Sequence, residues 1–202
     1  MIAAADRLGL SEAELTAYLN LRSQLPVQAS SYLDSLPPVE RLRLVGSNLE
    51  LQSGVHEGFQ YHVLSAEGPL DVLDARNFGQ SQYSGVVLAD DAFLFRAGSS
   101  LSNRGPLGSW LSFKPALSEA QARIDLAIRQ TWLDPLTGVP ASSNPPIDTV
   151  YMIRVPKGTT VYVGPVGSQG GIYLGGSQVL QAFVPDIGLI PGVDVVSSWT
   201  IP

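Results

Sequence analysis

The sequence predicts an α+β protein with helices at the front and many short strands behind. Three observations carry this. Ser11-Glu12-Ala13-Glu14 has a hydroxyl at a helix N-cap and an acid three residues on, followed by apolar residues at helical spacing. From Leu49 onward the hydrophobic period shifts towards two. The 202 residues include 20 glycines and 15 prolines, so turns are frequent and strands must be short. With 45% hydrophobic and 15% charged residues, a sizeable core is available.

The same composition narrows function. A formal charge of −6 argues against nucleic-acid binding, and no basic run suggests attachment to a membrane surface. The absence of cysteine removes disulfides, thiolate zinc sites and thiol nucleophiles. Residues 1–16 lack a basic stretch followed by a long apolar core, so no signal peptide is expected. No apolar run approaches the ~20 residues of a membrane span. A soluble protein, excised from something larger, is the expectation.

In chain order, the first helix runs from Ser11 through Leu15, Tyr18 and Leu19 to a stop at Pro26. A second covers Ala29 to Leu36, and a third, short one Val39 to Val45, with Pro38 in its first turn. Phe59 to Leu64 alternates as a half-buried strand does, and Leu70 to Phe78 fits either a short helix or a strand. Gly79 to Gly85 reads as a loop, which puts a boundary between a helical lead-in, 1–85, and a second unit, 86–202. That unit opens with apolar runs at Val86–Leu88 and Ala92–Phe95. Ser109 to Phe113 reads as a strand, and Ser118 caps a helix reaching about Trp132. A proline- and serine-rich loop, Asp134 to Pro146, leads into strands at Val150–Val155 and Thr160–Val163. A loop holding five glycines follows, then Ser177-Gln178, an apolar run to Val184, and a last strand at Val193–Trp199.

Histidine chemistry finds little support: His56 and His62 are the only histidines, and no acid stands at a metal-ligand spacing from them. There is no GxSxG elbow or Walker loop, and no metal is expected. Arg96 ends a Phe-Leu-Phe strand beside Ala97-Gly98, where a guanidinium suits either a diphosphate or a surface ion pair. Ser109 and Ser112 lie three apart and so face opposite sides of a strand. Gln178 follows a glycine pair that lets backbone approach a ligand, although buried amides are usually hydrogen-bonded scaffolding.

In this order, Phe95-Arg96-Ala97-Gly98, Ser109-Trp110-Leu111-Ser112 and Gly175-Gly176-Ser177-Gln178 resemble the pattern shared by ADP-ribosyltransferase and NAD glycohydrolase toxins. The likeness is nearest to bacterial polymorphic toxin domains related to the tuberculosis necrotizing toxin, which Tyr151, Pro156-Lys157-Gly158-Thr159 and Gly164 to Gly171 also match. It covers about residues 90 to 202. The resemblance implies an ADP-ribosyltransferase-like core of two small packed mixed sheets, with NAD as substrate rather than cofactor. It implies a secreted or delivered toxin acting in a target cell's cytosol, and a cognate immunity protein. Arg96 would hold the diphosphate, with Arg104 as a second phosphate ligand and Lys157 and Arg154 as spare cations. Ser109 would position the nicotinamide ribose or the following strand, Trp110, Phe113 or Tyr173 would stack the nicotinamide, and Gly176 would border the dinucleotide. Gln178 would face the anomeric carbon. The last glutamate is Glu119, so the late-strand glutamate of the transferases is missing, which favours water as acceptor. Transfer to a protein, oriented by Gln178 or Gln181, and a non-catalytic binding module remain the alternatives.

Overall fold

The structure is a computed structural model that describes residues 11–53, 58–62, 68–102, 105–133, 137–143 and 146–202. Three helices come first: α1 (Glu12–Gln24), α2 (Val27–Ser35) and α3 (Pro38–Ser53). The capping box forms as the sequence predicts. Ser11 Oγ accepts from Glu14 N–H, and Glu14 Oε2 accepts from Ser11 N–H at 2.8 Å. Pro26 and Pro37 separate the helices, since neither can continue the preceding turn. The third helix is longer than the expected Val39–Val45, because its apolar face continues to Leu51, which is fully buried against the sheet.

Behind them run a one-turn helix α4 (Val72–Ala75), a 3-10 turn at Gly79–Ser81 and strands β1 (Ser84–Val87), β2 (Ala92–Gly98) and β3 (Trp110–Ser112). Then come α5 (Glu119–Asp125), β4 (Thr131–Leu133), β5 (Pro140–Ser143), β6 (Thr149–Val155), β7 (Thr160–Val166), β8 (Gly176–Phe183) and β9 (Asp194–Thr200). This is the expected α+β class with helices first. Every pairing is antiparallel, and one ladder of order β1-β7-β8-β3-β2-β6-β9 carries seven strands beside a β4-β5 ribbon.

The large ladder behaves as two halves. β2 and β3 are joined through a single residue pair, Phe95 with Ser112, whereas β2 and β6 pair over seven residues. The halves fold onto each other. Leu94, Ile153 and Val155 of one pack with Leu111, Val161, Val163 and Ala182 of the other in one buried cluster. The opposite face of β2 and β6 (Phe93, Phe95, Val150, Met152) packs against Leu33 of α2 and Leu44 and Val45 of α3. The expected unit boundary at 85/86 falls inside β1, and residues on both sides of it share this core.

Three local expectations give way. Pro140–Ser143 is a strand rather than loop, with Pro140 at its first residue, where the missing N–H is tolerated. Gly79–Gly85 holds a helical turn and the start of β1 rather than a free linker. The helix after Ser118 stops at Asp125 instead of reaching Trp132. Ala127 takes φ 51°, while Ile128 N–H reaches Arg123 O at 3.0 Å and Ala127 N–H reaches Ile124 O. That is a Schellman ending with alanine where glycine is usual, so the sequence carries no stop signal there.

Two outcomes are expected. Leu33→Ala lowers stability by about 2–5 kcal/mol, and helix and sheet melt together, so far-UV circular dichroism and tryptophan fluorescence give one coincident transition. Asp34 accepts from Arg22 at 3.1 and 2.8 Å and from Tyr18 at 2.9 Å, which pulls its carboxyl from 3.8 down to about 2. A depressed folded pKa confers stability above the unfolded value. The melting-temperature gap between wild type and Asp34→Asn is therefore full above about pH 4 and closes as pH falls towards 2.

Candidate active site

Because only Phe95 and Ser112 pair, β2 and β3 part company towards Arg96 on one strand and Trp110 on the other. Ser112 fastens the joint: its Oγ donates towards Phe95 O (3.2 Å) and Lys114 O (2.8 Å). Two hollows border the gap. The first, of about 410 Å³, is lined by Phe95, Ala97, Trp110, Ser112, Gln181 and, from other elements, Asp74, Asn77 and Ala127. The second, of about 480 Å³, is lined by Arg96, Gly108, Ser109, Trp110, Asp74 and Asp186. Trp110 and Asp74 belong to both. Volumes of this size suit small-molecule ligands.

Arg96 is half-buried, and the loop after β2 folds back over it. Its Nη1 donates to the carbonyls of Gly105 and Pro106, both at 3.2 Å. Gly108 lies against the same guanidinium, and a Cβ there would stand 2.5 Å from Arg96 Nε. Trp110 is held by aromatic packing. Its ring centroid lies 4.5 Å from that of Phe183 and 5.1 Å from that of Phe78. Those contacts leave it a wall of the hollows.

Gln181 faces the first hollow from β8, opposite Ser112 and Gly164. It is buried, and its Nε2 donates to Asn77 O at 2.7 Å. A carbonyl partner fixes which end of the amide is nitrogen and leaves Oε1 as the acceptor. Gln178 lies on β8 three residues earlier, within an irregularity: Gly176 pairs with Val166, but the next pair is Leu180 with Pro165. Bulges of this kind re-aim side chains and gather near sites. The side chain of Gln178, like Arg104 and His56, lies outside the described residues.

The remaining candidates are elsewhere. Phe113 is buried in the core between the half-sheets and lines a separate hollow of about 370 Å³ with Lys114 and Gln121. Tyr173 lines neither hollow of the β2–β3 gap, and its hydroxyl accepts from Gln130 N–H at 3.4 Å. Gly176 opens β8 against Val166. Arg154 is paired with Asp194 at 3.2 Å, and Lys157 lies at an open hollow with Thr159 and Pro191. His62 sits beside the Tyr61–Tyr83 bridge. Among the described residues no three His, Cys, Asp or Glu side chains gather as a metal site, and no helix is long and apolar enough to cross a membrane.

Glu119, the last glutamate, is committed to structure. It forms an ion pair with the buried Arg123 at 2.6 Å and accepts from Ile147 N–H, which together hold its carboxyl below its usual value. Sequence reasoning passed over Asp74 and Asn77, because nothing local marks the one-turn helix before Phe78 as part of a site.

No protein-family profile matches the chain, and no curated protein does. Among solved structures, it is similar to Tne2 in complex with Tni2 (16% identity, TM-score 0.44, covering 60% of this chain and 93% of that one). It is also similar to Rhs1-CT in complex with the cognate immunity protein RhsI1 (15%, 0.41, 61% and 84%). Tse6 in complex with Tsi6 is a third (16%, 0.39, 77% and 94%). At these values the likeness assigns no activity.

Gly108→Ala displaces the Arg96 guanidinium, the far end of a flexible side chain, and is expected to cost at most about 1 kcal/mol, the net worth of its hydrogen bonds to the Gly105 and Pro106 carbonyls. Gly188→Ala, where an added Cβ meets nothing within 4 Å, leaves stability unchanged. Thermal melts of the two variants against wild type check this.

Proposed function

We propose that the chain is a toxin domain that hydrolyses NAD to ADP-ribose and nicotinamide, acting in the cytosol of a cell into which it is delivered. The observation that carries this reading is the gap between β2 and β3, which gathers Arg96, Ser109, Trp110 and Gln181 around two hollows sharing Trp110. Arg96, Ser109 and Trp110 follow the order of the toxin pattern they resemble, whose late amide is Gln178, three residues before Gln181 on the same strand. A guanidinium in one hollow and an amide in the other suit a bent dinucleotide, diphosphate on Arg96 and nicotinamide ribose towards β8.

Cleavage of the nicotinamide–ribose bond expels a neutral ring from a cationic substrate, so no general acid is needed. The enzyme must exclude bulk water and stabilise an oxocarbenium-like centre. The carbonyl oxygens of Gln178 and Gln181 are the groups proposed for that centre, and neither residue is a base for activating a protein acceptor. The engagement of Glu119 with Arg123 and Ile147 keeps the last glutamate from that role and favours water over protein as acceptor. A toxin of this type requires a cognate immunity protein in the cell that makes it.

Incubating the purified protein with NAD alone is expected to release nicotinamide and ADP-ribose. Arg96→Ala is expected to lower kcat/KM about 10- to 100-fold, the worth of a lost charge-assisted contact. Nicotinamide released only after a protein acceptor is added identifies a transferase. Turnover and toxicity untouched by both Arg96→Ala and Gln178→Ala overturn these residue assignments, and no nicotinamide released with or without a protein acceptor identifies a non-catalytic module.

A further inference from the structure

Among the described residues, Asp74 is the one carboxylate that lines both hollows, and the only acid lining the 410 Å³ one. Nothing in the toxin pattern assigns it, because it belongs to the segment before the strands. That segment is fastened to the site by Asn77. The Asn77 carbonyl accepts from Gly167 N–H at 2.8 Å and from Gln181 Nε2 at 2.7 Å, and its Oδ1 accepts from Gln169 Nε2 at 3.2 Å. The contact is tight. A Cβ on Gly167 would lie 2.6 Å from the Asn77 carbonyl oxygen. One turn earlier, the Asp71 side chain accepts from Asp74 N–H at 2.8 Å and fixes the start of α4. The same clamp therefore holds the amide of Gln181 and the carboxylate of Asp74 at one cavity.

We propose that Asp74 is the general base of the hydrolysis, accepting the proton of the attacking water; this rests on the NAD-hydrolase reading above. The water oxygen bonds to the anomeric carbon as the bond from that carbon to the nicotinamide nitrogen breaks. The bonding pair neutralises the pyridinium, and the water proton passes to the Asp74 carboxylate and then to solvent. Amides at Gln178 and Gln181 cannot take that proton, since an amide nitrogen is not basic. Burial, with the neighbouring Asp71 as a lesser cause, pushes the Asp74 carboxyl above its usual 3.8. The charged groups around it are Asp71 on its own turn, Arg76 at the first hollow, and Arg96 and Asp186 at the second. A base activated this way loses function as pH falls through its raised pKa.

The test is NAD turnover against pH for wild type, Asp74→Asn, Asp74→Glu, Asp74→Ala and Arg96→Ala, each checked for folding by circular dichroism. Asp74→Asn is expected to lower kcat about 10²- to 10⁴-fold with little change in KM and to abolish the acid limb. Asp74→Glu recovers part of the rate, and added formate recovers part of it in Asp74→Ala. A wild-type profile without an acid limb above the ordinary carboxylate range overturns the proposal even if the variants fail to fold. So does an Asp74→Asn variant with wild-type kcat, and if Arg96→Ala is then slow, the NAD-hydrolase reading survives without Asp74. A wild-type protein that releases no nicotinamide overturns both.

Discussion

The seven-stranded ladder nearly breaks between β2 and β3, where only Phe95 and Ser112 pair, and the two hollows lie along that break. A regular ladder would run on to Arg96 and Trp110 and bring the strands to about 5 Å throughout. Stopping after one pair lets two short antiparallel sheets face each other across a shared apolar core while their edges diverge on one side. The divergence forgoes ladder hydrogen bonds between β2 and β3, and side-chain donors hold the joint and the loop beside it. Ser112 Oγ shares its one proton between the Phe95 and Lys114 carbonyls at the joint, and Arg96 Nη1 donates to two carbonyls of the loop. The residues that hold the gap open also line it.

The front of the chain is bound into the same arrangement. Leu33 and Leu44 cover the face of β2 and β6 that would otherwise meet water, and Phe78 and Tyr83 build an aromatic cluster with Trp110 and Phe183. Between these contacts, residues 71 to 78 cross beside the hollows, pinned by the Asn77 carbonyl. A short, exposed helix with no core of its own would be a weak element alone. Here its position is set by the Gln181 side-chain amide on β8 and the Gly167 N–H of the glycine-containing loop, both of which donate to the Asn77 carbonyl.

Much of the architecture is legible in the sequence. The Ser11 capping box, the proline stops, the apolar strand at Val150–Val155 and the last strand near Trp199 all follow from local chemistry. The Arg96 and Trp110 candidates line one hollow, one from each side of the gap. Helix ends and strand irregularities were less visible. Ala127 adopts the left-handed conformation without the glycine that normally announces it, and the register break on β8 interrupts the period of two near Gln178. Phe113 shows a further limit, since an aromatic on the site strand turns into the core rather than towards a ligand.

By itself, the sequence determined the class of fold, the strand order in time and the chemical types available to a site: one strand-end guanidinium, amides late in the chain, no thiol, no late glutamate. Those are properties of composition and local periodicity. Tertiary structure alone decided which of them meet. It set Gln181 rather than Phe113 or Tyr173 at the hollow, committed Glu119 to Arg123, and brought Asp74 from far upstream to the same cavity as Gln181. The reason is physical. Contacts between residues about a hundred positions apart depend on where the ladder breaks and which backbone carbonyls need a donor, and neither is written in any short stretch of chain.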